Sequence, residues 1–223
     1  MRQIIGSSEG PATRQYRIAL AGPCGAGKST LAALLAARYE GLAVVHEAGA
    51  TPDIEVDKAP SPASVDHFQR LMSNWRREQT ILNSSARVLL FDRTLEEDRE
   101  VFLQLYYRLG YIDSALLDSL TKVSQEVEFS IGIPDGIIVL TAAPEVLRDR
   151  LTHAQQQRPP WLVQHIGLQH ELYCEWIAKK RDSALILDTA SVGSSLMCGI
   201  AMHFIEMILA GNRPSANVSY GTA

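Results

Sequence analysis

Hydrophobic and polar positions fall along this chain in two kinds of block. Five short runs are nearly continuous in apolar residues: Tyr16–Ala21, Leu42–His46, Arg87–Phe91, Asp135–Thr141 and Ala184–Asp188. Apolar runs of this length, bounded by turn residues, read as strands buried on both faces. Between them lie longer segments with helical spacing. Residues 31–38 are helix-forming. In 64–85, Val65, Phe68, Leu71, Met72 and Trp75 recur at threes and fours and give one apolar face. Residues 96–109 read as a helix stopped by Gly110, and 113–129 as another. Pro144 sits at a helix start and the pattern continues to His153. Residues 161–180 and 194–210 are helical again, the last with Gly211-Asn212 as its stop. Residues 48–61, with Gly49, Pro52, Asp53, Asp57 and Pro60, read as a loop.

Strands separated by helices predict an α/β fold: a five-stranded parallel sheet with helices on both faces. The chain shows no internal repeat and no long linker, so one domain over residues 15–211 is expected. Residues 1–14 read as a loose, flexible tail and 212–223 as a disordered one. In such sheets ligands lie at the carboxyl ends of the strands. That rule gathers three stretches at one edge: the residues after the first strand, Glu47 after the second, and Asp92-Arg93 after the third.

The first of these stretches is Gly22-Pro23-Cys24-Gly25-Ala26-Gly27-Lys28-Ser29-Thr30. It satisfies G-x-x-x-x-G-K-[ST], the P-loop, and stands in the strand–loop–helix setting that motif needs. Glycines let successive backbone N–H groups turn inward around a phosphate, and the helix N-terminus adds partial positive charge there. The expected nucleotide-binding residues are therefore Gly22, Gly25, Ala26, Gly27, Lys28, Ser29 and Thr30. Lys28 reaches the outer phosphates and Ser29 holds Mg²⁺. As a loop residue, Lys28 is expected to be exposed.

Glu47 is placed to accept a proton from a substrate hydroxyl. Asp92 is expected beside the P-loop strand, holding Mg²⁺ through water. Arg93 is placed to neutralise charge near the attacked phosphoryl group. Two charged residues directly after an aliphatic run are hard to place in a core, which favours a functional reading of the pair. The six histidines show no metal-ligand spacing and read as surface or packing residues.

Composition narrows the classes. The chain has 223 residues, 46% hydrophobic and 21% charged, an ordinary globular balance with material for one buried core. A net charge of −4 gives no nucleic-acid footprint. Three widely spaced cysteines, Cys24, Cys174 and Cys198, form no C-x-x-C pair and indicate neither a zinc site nor a disulfide frame. The N-terminus lacks the apolar core of a signal peptide. The most apolar late stretch, 196–209, carries His203 and Glu206 and is short for a bilayer span. A cytoplasmic enzyme with free thiols, and no membrane partner, is expected.

Several blocks, agreeing in order over most of residues 16–190, resemble the deoxynucleoside kinases. The P-loop A-G-P-C-G-A-G-K-S-T is similar to the family's glycine loop, and Glu47 matches its catalytic base. Phe68-Gln69 followed by Arg76 resembles the helix that reads the nucleobase. The most specific block runs from Asp92-Arg93-Thr94 through Asp98 to Phe102 and is similar to the family's E/D-R-S signature. Residues 135–151 resemble its fourth strand and lid-leading helix, and 170–176 the helix after the lid.

The resemblance implies a P-loop nucleoside kinase domain with a lid at about 152–161, a nucleoside substrate, and transfer of the ATP γ-phosphate to the nucleoside 5′-hydroxyl. Substrate contacts would come from Glu47, Phe68, Gln69, Arg76, Arg93, Asp98 and Phe102. Gln69 would hydrogen-bond the base, Phe102 would stack on it, and Arg76 and Asp98 would sit at its far edge. Retention of the last two resembles the branch that accepts purines and deoxycytidine. A homodimer is implied as well.

One stretch departs from the family. The usual lid reads R-G-R followed by acidic residues, whereas residues 152–160 here read T-H-A-Q-Q-Q-R-P-P. Arg158, held between a polar Gln run and Pro159-Pro160, is the expected lid cation, with Arg150 on the preceding helix as the fallback. The altered lid leaves two other readings open: a kinase of another small hydroxyl acceptor, such as a modified nucleoside or nicotinamide riboside, and a catalytically weak nucleotide-binding subunit.

Overall fold

The computed structural model describes residues 14–46, 84–153, 163–180 and 184–212. Its centre is β1 (Tyr16–Ala21), whose last four residues are buried because neighbouring strands flank it and helices cover it. β3 (Val88–Asp92) pairs parallel on one side of β1 and β4 (Gly136–Thr141) on the other. β2 (Leu42–Val45) continues the sheet beyond β3, and β5 (Ala184–Asp188) beyond β4. The order β2-β3-β1-β4-β5 is the expected five-stranded parallel sheet. The register matters for the site. Leu20 lies beside Asp92, and Val45 lies beside Phe91, so β1, β2 and β3 end at one edge.

One face carries α1 (Lys28–Arg38) and α7 (Ser194–Leu209), packed against each other. The approach of α7 to the sheet is close. A Cβ on Gly136 would lie 2.2 Å from Ile208 Cδ1 and 3.1 Å from Phe204 Cε1, so β4 begins with the residue that has none. That explains a glycine in a strand, where it otherwise weakens packing.

The other face is built on a continuous helix after β3. It opens with a turn of α2 (Leu95–Glu97), widens into a π segment (Asp98–Leu103), and closes as α3 (Gln104–Arg108). The junction residues Glu97, Asp98, Leu103 and Gln104 keep helical dihedrals, so the chain does not break. The expected helix over 96–109, with Gly110 as its stop, is present in outline. The wide interior turn is a feature that often marks functional sites. α4 (Ser114–Ile131) follows, capped by Asp113 Oδ1, which accepts the Leu116 N–H at 2.8 Å. α5 (Pro144–Thr152) leads from β4, and α6 (Ile166–Lys180) crosses the π segment.

Aromatic packing locks these helices together. Phe102 meets Tyr173 edge-on at 6.5 Å between ring centres, and Tyr173 meets Trp176 at 6.2 Å. All three are buried. Such pairs contribute about 0.5–1.5 kcal/mol each beyond burial itself. No described helix is long and apolar enough to cross a membrane.

Candidate active site

The loop between β1 and α1 takes its shape from Gly22. Its φ is 137°, and a Cβ there would sit 2.2 Å from the Leu140 carbonyl oxygen. Only glycine lets the loop leave β1 so close to β4. The loop then tightens through Ala26 N–H, which donates to the Pro23 carbonyl at 3.2 Å. Gly27, at φ 95°, forms the N-cap of α1 and offers no side-chain acceptor to the first turn. The first N–H groups of a helix have no intrahelical partner, and with the helix dipole they favour an anion. Ser29 and Thr30 are exposed in this first turn.

Lys28 departs from its expected exposure: it is 9% exposed. Its Nζ folds back and donates to the carbonyls of Gly22 at 2.6 Å and Pro23 at 3.2 Å. Burial lowers the lysine pKa, with Arg93 adding to the effect; Cys24, Glu97 and Asp92 push the other way. The ammonium thus stands under the loop, tied to its entrance.

Asp92 ends β3 beside Leu20 and is half-buried, as expected next to the P-loop strand. Arg93 follows with φ 77°, in the left-handed region where a residue with a Cβ is strained. Such strain costs on the order of 1–3 kcal/mol and persists where the surroundings over-determine it. They do so here. The Arg93 N–H donates to the Leu20 carbonyl at 2.9 Å. Its Nη1 donates to Glu97 Oε1 at 3.2 Å and to the Tyr173 hydroxyl at 3.4 Å. Its Nη2 points at Cys24 Sγ, 3.7 Å away, and its guanidinium carbon lies 4.5 Å from the centre of the Phe102 ring. The guanidinium is held against the phosphate loop.

Glu97 is the residue that ties this together; it stands in the block from Asp92 to Phe102, where the sequence alone gives it no role in the site. It is 0% exposed. Its Oε1 accepts the Gly22 N–H at 2.9 Å, Arg93 Nη1, and the Tyr173 hydroxyl. Its Oε2 accepts the Thr94 N–H at 3.4 Å, while Thr94 Oγ1 accepts the Glu97 N–H at 2.8 Å. That is a capping box at the start of α2. Thr94-Leu95-Glu96-Glu97 carries its signature, so half of the role was readable. Tyr173 and Cys24, which also touch Arg93, had no such signal.

Asp98 and Phe102 both lie in the π segment and are buried. Phe102 is 1% exposed, set between Tyr173 and the Arg93 guanidinium. Glu47, Phe68, Gln69, Arg76 and Arg158 lie outside the described residues, as does most of the expected lid. Arg150, the fallback lid cation, is engaged elsewhere. It donates to the Gly25 carbonyl at 3.2 Å, to Thr189 Oγ1 at 2.8 Å and to the Thr189 carbonyl at 2.9 Å. It ties the phosphate loop to the end of β5.

No group of three or more His, Cys, Asp or Glu side chains among the described residues is arranged to hold a metal. Mg²⁺ at phosphate sites does not need one, because it keeps waters and takes one or two protein oxygens besides the phosphates. The exposed Ser29 hydroxyl and the half-buried Asp92 carboxylate are hard oxygen donors of the right kind for that arrangement.

The site therefore offers a helix N-terminus for an anion, two buried cations beside it, and two hard oxygens at its rim. A family model described as deoxynucleoside kinase matches residues 18–192. Among solved structures, a deoxyadenosine kinase from M. mycoides, with the products dCMP and a flexible dCDP bound, aligns with a TM-score of 0.66. The two share 17% sequence identity, and the alignment covers 85% of this chain and 98% of that one. No curated protein matches the sequence.

Proposed function

The chain belongs to the deoxynucleoside kinase family, and on that premise we propose that it transfers the γ-phosphate of ATP to the 5′-hydroxyl of a purine deoxynucleoside or deoxycytidine. The observation that carries this reading is the Arg93 guanidinium, buried and braced against the phosphate loop by Glu97. A strained arginine held at that point stands between a nucleotide on the loop and an acceptor at the carboxyl ends of β2 and β3.

The roles follow from position. The first turn of α1 takes the phosphates, and Lys28 exchanges its loop carbonyls for phosphate oxygens. Ser29 and Asp92 would hold Mg²⁺, which when bound offsets phosphate charge. Glu47, just past the end of β2, takes the proton of the 5′-hydroxyl. The freed oxygen attacks the γ-phosphorus, the bond to the bridging oxygen breaks, and ADP leaves. Arg93, and Arg158 from the lid, stabilise the charge spread over the equatorial oxygens. Gln69, Arg76 and Asp98 hydrogen-bond the base, with Phe68 and Phe102 beside it. Retention of Arg76 and Asp98 favours purines and deoxycytidine over thymidine.

Free thiols at Cys24, Cys174 and Cys198 favour a reducing, cytoplasmic setting. A homodimer is in keeping with the exposed apolar Phe129 and Ile133 at the end of α4. The test is ATP consumption, with Mg²⁺, across a panel of deoxynucleosides, ribonucleosides and nicotinamide riboside. Turnover with a purine deoxynucleoside or deoxycytidine supports the proposal. Turnover with only another acceptor, or nucleotide binding without turnover, contradicts it.

A further inference from the structure

We propose that Glu97 is a positioning residue that couples the phosphate loop to Arg93, so that the donor cradle and the acceptor-side cation are set by one buried carboxylate. This deepens the nucleoside-kinase reading and rests on it. Three observations support it. Glu97 Oε1 accepts from the loop (Gly22 N–H, 2.9 Å) and from Arg93 Nη1 at 3.2 Å. The third donor, the Tyr173 hydroxyl, also touches Arg93 and so braces both partners from α6. Glu97 itself cannot drift, because its Oε2 and its own N–H are engaged with Thr94 in the cap of α2.

The chemistry explains why the group is a carboxylate. Among the described residues, each hydrogen-bond partner of the carboxylate is a donor: Gly22 N–H, Thr94 N–H, the Tyr173 hydroxyl and a guanidinium. An ionised carboxylate is acceptor-only at both oxygens. A glutamine in its place must aim its NH₂ either at the Thr94 N–H or at the three donors around Oε1. Either orientation sets donor against donor, and the carboxylate charge 3.2 Å from Arg93 Nη1 is gone. Removing a buried carboxylate that a guanidinium donates to is costly, and the guanidinium shifts towards its remaining contacts. Because Arg93 is held at φ 77° by these contacts, losing one frees the side chain at the point where it must face a phosphate.

The loop end is coupled in the same way. Gly22 is gripped at both poles of its peptide units, its N–H by Glu97 and its carbonyl by Lys28. A change at Glu97 therefore reaches the loop entrance and Arg93 together. A cap acting only on α2 would reach neither.

The test is a double-mutant cycle between Glu97→Gln and Arg93→Ala, read two ways: affinity for the non-hydrolysable ATP analogue AMP-PNP, and kcat on whichever nucleoside the wild type phosphorylates. Coupled residues are non-additive. We expect Glu97→Gln to weaken AMP-PNP binding and to lower kcat about tenfold or more in the wild-type background, and less than about threefold when Arg93 is already alanine. Glu97→Asp, which keeps the charge, should recover part of the loss. Equal factors in both backgrounds, or no effect of Glu97→Gln, would overturn the proposal and reduce Glu97 to a helix cap. If Glu97→Gln does not fold, Tyr173→Phe replaces it in the same cycle. It removes one donor to Glu97 and keeps the ring. A loss that vanishes in the Arg93→Ala background supports the coupling, and an unchanged enzyme overturns it. The AMP-PNP arm decides the matter even if the wild type phosphorylates no nucleoside, an outcome that counts against the kinase reading alone.

Discussion

Lys28 Nζ donates to the carbonyl of Gly22 at 2.6 Å, so the lysine of the phosphate loop is bound to the entrance of its own loop. A nucleotide has to compete with that carbonyl and with Pro23 for the ammonium. Burial also lowers the pKa of this lysine.

Replacing it should therefore separate function from stability. Lys28→Met removes a desolvated charge and leaves an apolar side chain of similar volume. We expect phosphoryl transfer to fall by about 10²–10³-fold or more, with a thermal midpoint close to that of the wild type. Steady-state rates and thermal unfolding on the same preparation check it. Wild-type turnover by Lys28→Met would remove the loop lysine from the mechanism.

Tyr173 supplies a pH signature. Burial pushes its hydroxyl pKa well up, the Glu97 carboxylate adds to the rise, and Arg93 offsets part of it. The folded protein keeps the Tyr173 proton above pH about 10, where the unfolded chain releases it. Its contribution is fully present below that pH and is lost as pH rises through the raised folded pKa. Tyr173→Phe lacks both the bond and the titration. Denaturant midpoints should show it less stable than wild type near pH 8, by about 1.5–3 kcal/mol for a bond to a charged group. The gap should narrow towards pH 11 or so. Lys28 titrates in the opposite sense in both proteins, so the difference isolates the tyrosine. A constant gap would contradict the assignment.

The two arginines near the lid should differ in kind. Arg150 holds Gly25 and Thr189, so Arg150→Ala is expected to weaken nucleotide binding by loosening the loop. Arg158→Ala is expected to lower kcat about 10²-fold with little change in stability. Reversed effects, with turnover intact in Arg158→Ala and abolished in Arg150→Ala, would move the closing cation to the helix.

Much of this was legible before the structure. Strands β1 to β5 follow from five short apolar runs, and the P-loop follows from its glycines. Asp92 was expected at the end of a strand beside the P-loop strand, and in the register it pairs with Leu20 of β1. Other features were not. The π segment sits in a stretch whose apolar spacing looks like ordinary helix, because one wide turn leaves most threes and fours in place. The burial of Lys28 was invisible, since the motif tells which ligand a lysine serves and not how the loop packs around it. The left-handed backbone of Arg93 has no sequence signal, because residues with a Cβ enter that region only under tertiary constraint. Glu97 was half visible: Thr94-x-x-Glu97 announces a cap, but its bond to Gly22, 75 positions away, belongs to the fold alone.

The central claim is that this site phosphorylates the 5′-hydroxyl of a purine deoxynucleoside or deoxycytidine. The direct measurement is product identification by ³¹P NMR and chromatography after incubating the wild type with ATP, Mg²⁺ and deoxyadenosine, deoxyguanosine, deoxycytidine or thymidine in turn. The account predicts ADP and a 5′-monophosphate from at least one of the first three, in excess over thymidine, and a rate about 10²–10⁴-fold lower with Glu47→Gln. Thymidine as the preferred acceptor, phosphate on another hydroxyl, or release of inorganic phosphate with no nucleotide product would contradict it.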